Sequence, residues 1–441
     1  MPFPHDEGGT SLSDGNGIAA QLEQQPLNQV AVFGLKTNGS RSPTLMIRRQ
    51  QRNRELIVAF DTFMLANKFR NVGIYEYALN VLRQFHGITL EDRSISVKYF
   101  VSPGYSDDIE NGDSHPGCEP ALTSLLGHDR LWRLGLVTAA CLRAGADVIF
   151  APCVSILPLG VVPVVVTIHD VMPKKLPPSM VEKSTALKAA TWVSAKMSRR
   201  VITDSEHSKK DIVELYNLPP EKVSVVYLGY NQHIFNSSPP DLSTREALLT
   251  RLGIRGPYIF HHGMVQARKN LGRLVEAYKL LQGRRNLGFQ LVLAGAFGLG
   301  SKQVLEAARG QMADGNIVFT GTLEAGELAI LMKGAALCVI PSLYEGFCLP
   351  MVEAMACGVP TIAANNTCMP EVSGGGLRYF DPLSEEDMAA AMENVLDHSD
   401  LQRELATHGL KRASEFSWRR CARETLSVLA SANARSTVSA R

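Results

Sequence analysis

Along this chain the apolar positions gather in short unbroken runs separated by longer amphipathic stretches. LIVAF (56–60) is a continuous apolar run, as expected of a strand buried on both faces. GIYEYALNVLRQF (73–85) reads as an amphipathic helix, and the alternation then repeats. VKYFV (97–101) is a strand, and LWRLGLVTAACLRAG (131–145) is a helix ending in glycine. DVIFAP (147–152) and VPVVVTIHD (162–170) are strands, 183–196 is a helix and RVITDS (200–205) a strand. Ser208 is the expected N-cap of the next helix, and VSVVYLG (223–229) closes the first half. A second series starts at YIFHHG (258–263). Its strands are FQLVLAG (289–295), IVFTG (317–321), ALCVIP (336–341) and VPTIAA (359–364). Its helices cover 271–281, 302–310, 324–334 and 350–357. No element is assigned between Ala364 and Phe416, where FSWRRCARETLSVLAS begins an amphipathic helix.

Strands alternating with helices imply parallel sheets covered on both faces. The fold class is therefore α/β, with two Rossmann-like doubly wound domains facing a cleft. Residues 1–54 form a polar tail, with a short strand at VAVF (30–33) and a basic run from Arg48 to Arg52. The N-terminal domain spans 55–236, a linker with two prolines 237–255, and the C-terminal domain 256–415. The last helix, 416–432, is expected to pack back toward the N-terminal domain, and 433–441 is a tail. No internal repeat is visible. Ligands of such sheets bind beyond the carboxyl ends of the strands, so the cleft between the domains is the natural site.

Composition narrows the classes. The chain has 441 residues, enough for two cores, with 45% hydrophobic and 20% charged residues. A formal net charge of +2 argues against a nucleic-acid binder. Eight scattered cysteines, with no C-x-x-C pair and no zinc spacing, read as inert reduced thiols. No apolar run reaches spanning length, and the N-terminus does not look like a signal peptide. The expectation is a cytoplasmic protein.

The most informative stretch is SLYEGFCLPMVEAMACGVPTI (342–362). A strand ends at Pro341, a loop carries Glu345-Gly346-Phe347-Cys348-Leu349, and Pro350 stands where a helix should begin. Free N–H groups at a helix start are a ready anion site. Glu345 and Glu353 flank it. Beside a diphosphate they make sense as acceptors from sugar and ribose hydroxyls; either one alone reads equally well as an acid answering the helix dipole. The second stretch, HHGMVQARKNLGRLVEAY (261–278), runs from a strand through the Gly263 turn to Arg268-Lys269-Asn270 and a helix. By itself it also reads as a solvated basic turn. The third, VPVVVTIHDVMP (162–173), ends a buried strand in His169-Asp170, where a lone histidine is often structural. The fourth is the Gly73 turn before the first helix, which is not a dinucleotide fingerprint. Thr320-Gly321-Thr322-Leu323 ends another strand and reads equally as a plain turn.

Together these residues resemble the retaining glycosyltransferases of sequence family 4, which have the GT-B fold. The family signature E-G-F-G-L-P-x-x-E-A-M-A-x-G-x-P is matched here except at Cys348, where the family usually has glycine. Cys348 either tolerates the glycine conformation or reshapes the sugar pocket. The family pattern G-x-x-x-P-R-K-N is carried here by Gly263 and Arg268-Lys269-Asn270, and Met264 stands where some members have arginine. The resemblance covers about residues 55–432. It implies that Lys269 and Arg268 clamp the donor diphosphate, Glu345 orients the donor sugar, and Glu353 holds the ribose. It also implies that His169 supports developing positive charge on the sugar, that Gly73 faces the diphosphate, and that Thr322 lies at the nucleobase. Gly263, Gly346, Phe347, Cys348 and Leu349 complete the donor-binding set. No D-x-D motif ends a strand, so transfer without metal and without a cofactor is expected.

The implied reaction moves a hexosyl group from a nucleotide diphosphate sugar to a glycan or lipid-linked acceptor. The R-K-N subgroup resembles bacterial mannosyltransferases of polysaccharide assembly, which makes GDP-mannose the first expectation. A UDP-hexose donor is the alternative, and a non-catalytic nucleotide-sugar-binding protein is the alternative outside catalysis. A phosphorylase of the same architecture has less support, because no pyridoxal lysine site is evident; a nucleotide-sugar epimerase, which would release free sugar without an acceptor, is the other enzyme class of this architecture. Lys183, Lys188, Lys196, Arg199 and Arg200 are either a basic face for peripheral membrane contact or a solvated helix face.

Overall fold

The computed structural model describes residues 55–65, 73–85, 88–90, 94–100, 137–156, 158–181, 185–284 and 288–433. Two six-stranded sheets carry the fold, and every pairing in them is parallel. The first holds β1 (Glu55–Asp61), β2 (Ser94–Phe100), β3 (Val148–Ala151), β4 (Val164–Thr167), β5 (Arg200–Thr203) and β6 (Val223–Val225), in the order β2-β1-β3-β4-β5-β6. The second holds β7 (Tyr258–His262), β8 (Gln290–Ala294), β9 (Ile317–Gly321), β10 (Leu337–Ile340), β11 (Thr361–Ala364) and β12 (Arg378–Phe380), in the order β12-β11-β10-β7-β8-β9.

The helices of the N-terminal lobe are α1 (Gly73–Phe85), α2 (Val137–Arg143), α3 (Met172–Lys175), α4 (Thr185–Met197) and α5 (Glu206–Tyr216). Those of the C-terminal lobe are α6 (Leu242–Leu252), α7 (Leu271–Arg284), α8 (Ser301–Ala313), α9 (Ala325–Gly334), α10 (Leu349–Ala356), α11 (Met369–Val372), α12 (Glu385–Asp397) and α13 (Ser399–Ala413). The last helix, α14 (Trp418–Asn433), packs on α1 and on β3, β4 and β5, so the chain returns to its first lobe.

The apolar runs became central strands for the reason their pattern suggests. Strands β3, β4, β8, β10 and β11 are buried at every position, because helices cover both faces. In the first lobe Phe60 stands edge-on to Phe85 and Phe150, with ring centroids 5.9 and 5.3 Å away. Such pairs add about 0.5–1.5 kcal/mol each beyond area burial.

The strand orders fix where a ligand can sit. In the first sheet the order turns at β1, between β2 and β3. In the second it turns at β7, between β8 and β10. Helices leave these strands to opposite faces and open a crevice at their carboxyl ends.

Some expectations need correction. The N-cap of α5 is Ser205, not Ser208: the Ser205 hydroxyl accepts from the Ser208 N–H at 3.1 Å, which makes Ser208 the third helical residue. Helix α10 starts at Leu349, so Pro350 is its second residue. The stretch left unassigned carries α11, β12, α12 and α13. The VAVF strand, the 1–54 tail, the 433–441 tail beyond Asn433 and the start of the 131–145 helix lie outside the described residues. Among the described residues no helix is long and apolar enough to cross a membrane.

Candidate active site

The turning point of the second sheet assembles a compact charged group. After β7 the chain passes Gly263 and a short 3-10 turn, Ala267–Lys269, before α7. After β10 it passes Pro341 and the Glu345 loop before α10. Asn270 joins the two. It adopts the left-handed conformation (φ 61°), which asparagine tolerates, and its side-chain amide donates to the carbonyls of Pro341 (3.1 Å) and Pro382 (2.7 Å). The Leu343 N–H donates to the Arg268 carbonyl at 2.9 Å. Lys269 and Glu345 are thereby held face to face, and both are buried. The Lys269 ammonium donates to Glu345 Oε1 at 2.6 Å, and Arg268 Nη1 donates to the same oxygen at 3.2 Å. Burial pushes the Glu345 carboxyl up, but the two cations outweigh it and bring it to about 2. Two cations against one carboxylate leave a net positive charge at the switch point.

Helix α10 points its N-terminus at this group. Cys348 is left-handed (φ 68°, ψ 62°), so it keeps the conformation that glycine favours rather than reshaping the turn. The amides of Gly346, Phe347, Cys348 and Leu349 donate to no acceptor among the described residues. Oriented free amides at a helix start suit an anion. Glu353, one turn further along, is half-buried, and its carboxylate meets no hydrogen-bond donor among the described residues. Burial, and then the charge of Glu76 in the first turn of α1, raise it to about 7. Glu76 thus places the Gly73 end of α1 toward α10 from the other lobe.

Strand β4 delivers His169 and Asp170 from the first lobe. His169 Nδ1 lies 2.8 Å from Asp204 Oδ2, and Nε2 lies 3.1 Å from the Pro152 carbonyl oxygen. The Asp204 carboxylate accepts from Nδ1–H, which fixes one ring proton, and the Pro152 carbonyl oxygen stands beside Nε2. Burial lowers the ring's pKa, but Asp204 more than compensates and the net shift is upward. What His169 offers the opposite lobe is its carbonyl oxygen. A Cβ on Gly346 would stand 2.6 Å from it, so only glycine allows the two backbones this approach. Asp170 accepts from the Met172 N–H at 2.9 Å and feels the Arg268 charge across the cleft. A cavity of about 390 Å³ opens beside His169 and Asp170, lined among others by Met64, Ile74, Leu187, Lys188 and Lys174.

The structure therefore brings His169, Arg268, Lys269, Glu345, Gly346 and Cys348 together. Phe347 differs: its side chain is buried against Tyr227 and Phe416, with ring centroids at 6.1 and 5.4 Å, which leaves only its backbone for a ligand. Leu349 is half-buried and likewise offers its amide. Thr322 is exposed at the end of the edge strand β9, two strands from β7. The expected basic face is partly consumed. Lys196 donates to the Asn217 carbonyl (3.1 Å), Arg200 donates to that of Glu221, and Lys183 lies outside the described residues.

Sequence reasoning missed the contacts that hold the lobes together. Glu371 on α11 accepts from the N–H groups of Glu206 (2.7 Å) and His207 (3.0 Å) and from the Tyr227 hydroxyl (2.9 Å). It caps α5 from the opposite lobe. The Tyr344 hydroxyl donates to Asp211 Oδ2 at 2.7 Å. Nothing local in the sequence signals these bonds, because each partner lies more than 130 residues away.

Comparison with known proteins agrees with this geometry. Residues 250–412 match the family description "Glycosyl transferases group 1", and residues 88–233 match "Glycosyltransferase Family 4". O-antigen chain mannosyltransferase B of Escherichia coli is 31% identical over 233 residues, which is 52% of this chain and 60% of that protein. The MMP alpha-(1->4)-mannosyltransferase of Mycolicibacterium hassiacum is 29% identical over 295 residues, 62% of this chain and 66% of that protein. The matched regions thus span less than two thirds of either relative. Among solved structures, HepE of Anabaena in complex with UDP-glucose superposes with a TM-score of 0.64 at 19% identity, covering 85% of this chain and 100% of that one. WaaG, a glycosyltransferase involved in lipopolysaccharide biosynthesis, superposes with a TM-score of 0.61 at 16% identity, covering 84% and 99%. Matched in both halves over more than two thirds of its length, and built on two parallel sheets that meet at their switch points, the chain belongs to the family 4 glycosyltransferases of GT-B fold.

Proposed function

We propose that the chain is a hexosyltransferase that moves a sugar from a nucleotide diphosphate donor to a glycan or lipid-linked acceptor. Mannose from GDP-mannose is the first reading, with the anomeric configuration retained and no metal required. The observation that carries it is the Lys269–Glu345–Arg268 group beside the free amides of the α10 N-terminus. Such a site meets a diphosphate with side-chain cations and oriented N–H groups, where a divalent ion would otherwise be needed. Both cations bind Oε1 of Glu345, so Oε2 is left by them for a sugar hydroxyl. Glu353, with no donor of its own, suits the ribose hydroxyls.

In the reaction the acceptor hydroxyl attacks the anomeric carbon as the bond from that carbon to the phosphate oxygen breaks. The departing phosphate oxygen takes the acceptor proton. Lys269, Arg268 and the amides stabilise the charge left on the diphosphate. His169, at the end of β4, supports the positive charge that builds on the sugar, and its carbonyl oxygen is turned toward Gly346. Mannose is favoured because the E. coli and M. hassiacum relatives are named mannosyltransferases.

Calorimetric titration with GDP and then UDP in metal-free buffer tests the reading. Tight binding of GDP supports the mannose reading. Tight binding of UDP alone replaces it with a UDP-hexose donor. Binding of neither overturns the transferase reading in favour of a non-catalytic protein. Loss of transfer in EDTA overturns the metal-free claim alone.

A further inference from the structure

Strand β7 ends in two histidines whose chemistry the reading above does not use. His261 is 1% exposed. Its Nδ1 lies 2.9 Å from the carbonyl oxygen of Val339 on the neighbouring strand β10. A carbonyl only accepts, so the proton is on Nδ1 and the lone pair is on Nε2. Burial, and to a lesser degree the Lys269 charge, lower the pKa to about 4, so the ring is neutral at pH 7. Nε2 is buried, and no donor among the described residues reaches it. A buried acceptor without a donor is costly and calls for a partner.

The nearest candidate donor lies across the Gly263 turn. A Cβ built on Gly263 would stand 3.5 Å from His261 Nε2, 3.5 Å from Lys269 Cε and 3.6 Å from Lys269 Nζ. The lone pair and the ammonium therefore flank one spot, and a glycine keeps that spot open. Lys269 has three N–H groups, and in the protein one of them meets Glu345.

Resting on the donor-diphosphate reading of this cleft, we propose that His261 is a positioning residue for Lys269. Its Nε2 accepts from one water in the space left by Gly263, and that water accepts a second N–H of the ammonium. With Glu345 and His261 holding two of the three N–H groups, the third is directed at the diphosphate. A phosphate oxygen cannot take the same place, because it has no proton to donate to Nε2. The neutrality of His261 matters for the same reason: a protonated ring would repel the ammonium it is meant to steer.

The test uses the full chain and a double-mutant cycle on nucleoside diphosphate affinity. The nucleotide is whichever of GDP and UDP binds the wild type, measured beside its monophosphate. His261→Phe keeps the bulk and removes the acceptor. It is expected to weaken diphosphate binding about tenfold, the lower end for a hydrogen bond to a charged group, and to leave monophosphate binding nearly unchanged. His261→Gln, which returns an acceptor at the end of the side chain, should recover most of the loss. In a Lys269→Met background His261→Phe should cost nothing further. Equal diphosphate affinity in wild type and His261→Phe overturns the proposal while leaving the reading of the cleft intact. So does an equal loss in the Lys269→Met background, which would mark His261 as merely structural. Should His261→Phe fail to fold, the Gln variant decides: binding within twofold of wild type supports the proposal, and a tenfold loss overturns it. A wild type that binds neither nucleotide removes the reading of the cleft and the proposal with it.

Discussion

Replacing Lys269 by methionine keeps the length of the side chain and deletes only the ammonium, and the structure sets the size of the effect. Glu345 titrates at about 2 in the protein against an ordinary 4.5. That difference corresponds to about 3 kcal/mol of stabilisation carried by the ionised carboxylate. Two cations supply it, and Lys269 at 2.6 Å is nearer than Arg268 at 3.2 Å. Removing the nearer one should forfeit more than half, about 2 kcal/mol, because the buried carboxylate keeps its desolvation cost and loses its closer partner. The sign follows from the direction of the shift. A carboxyl depressed in the folded state stabilises above its unfolded value of 4.5, and that contribution fades as pH falls toward 2. Urea unfolding of wild type and Lys269→Met should therefore differ by about 2 kcal/mol at pH 7 and pH 6. The two should converge as the pH is lowered below 4.5. Diphosphate binding should fall at the same time by about tenfold or more, since a charge-assisted contact is lost. A variant as stable as wild type at pH 7, or a stability gap that does not narrow in acid, would refute the account of this group.

Other consequences are simpler to state. Cys348 holds a left-handed backbone at φ 68°, so Cys348→Gly should be about 1 kcal/mol more stable than Cys348→Ala. Thermal melts of the two variants read this directly, and an alanine variant at or above the glycine one contradicts it. The raised pKa of His169 means that its bond to Asp204 stabilises the fold at low pH and loses that effect as pH rises through the folded value. Asp204→Asn should thus lower the melting temperature more at pH 6 than at pH 9, and a loss that grows with pH would show that Asp204 does not raise the pKa of the ring.

What could be read in the sequence depended on how local its cause was. LIVAF and LCVI are apolar without interruption because helices bury both faces, and no partner needs to be known to see that. The signature around Glu345 and Glu353 was legible because one strand, one loop and one helix carry all of it. Helix α12 was passed over although Ser384 accepts from the Asp387 N–H and three acids fill its first turn. Most of its apolar positions are alanines and methionines, which give a weak hydrophobic contrast. The Ser205 cap was misplaced by three residues because both serines suit the position, and only the backbone decides between them (φ −154° at Ser205). Asp204, Glu371 and Tyr344 could not be read at all. Their partners come from other elements, so neither periodicity nor spacing records them. The partners of the His169 ring were hidden for the same reason, since Asp204 and the Pro152 carbonyl come from other strands' ends.

The charge count at the cleft bears on how the proposed reaction would be tuned. Lys269 and Arg268 against Glu345 leave one net positive side-chain charge, and a helix N-terminus adds roughly half a charge more. A leaving diphosphate carries more negative charge than that. Its oxygen would therefore stay basic enough to take the acceptor proton, which a retaining transfer without a carboxylate nucleophile requires. Met264 gives a way to shift this balance. It follows Gly263, is 40% exposed, and stands where arginine occurs in some members of the family. Met264→Arg would add a second net charge beside the same phosphates. Binding of the nucleoside diphosphate should tighten by about tenfold, as for one added charge-assisted contact. Turnover should not rise in step, because a more fully neutralised phosphate oxygen is a poorer base. Calorimetry and initial rates on the one variant separate the two effects. If the rate constant for turnover rose as much as affinity did, the leaving group would need more positive charge than the wild type supplies, and the proton would have to go to a group other than the phosphate.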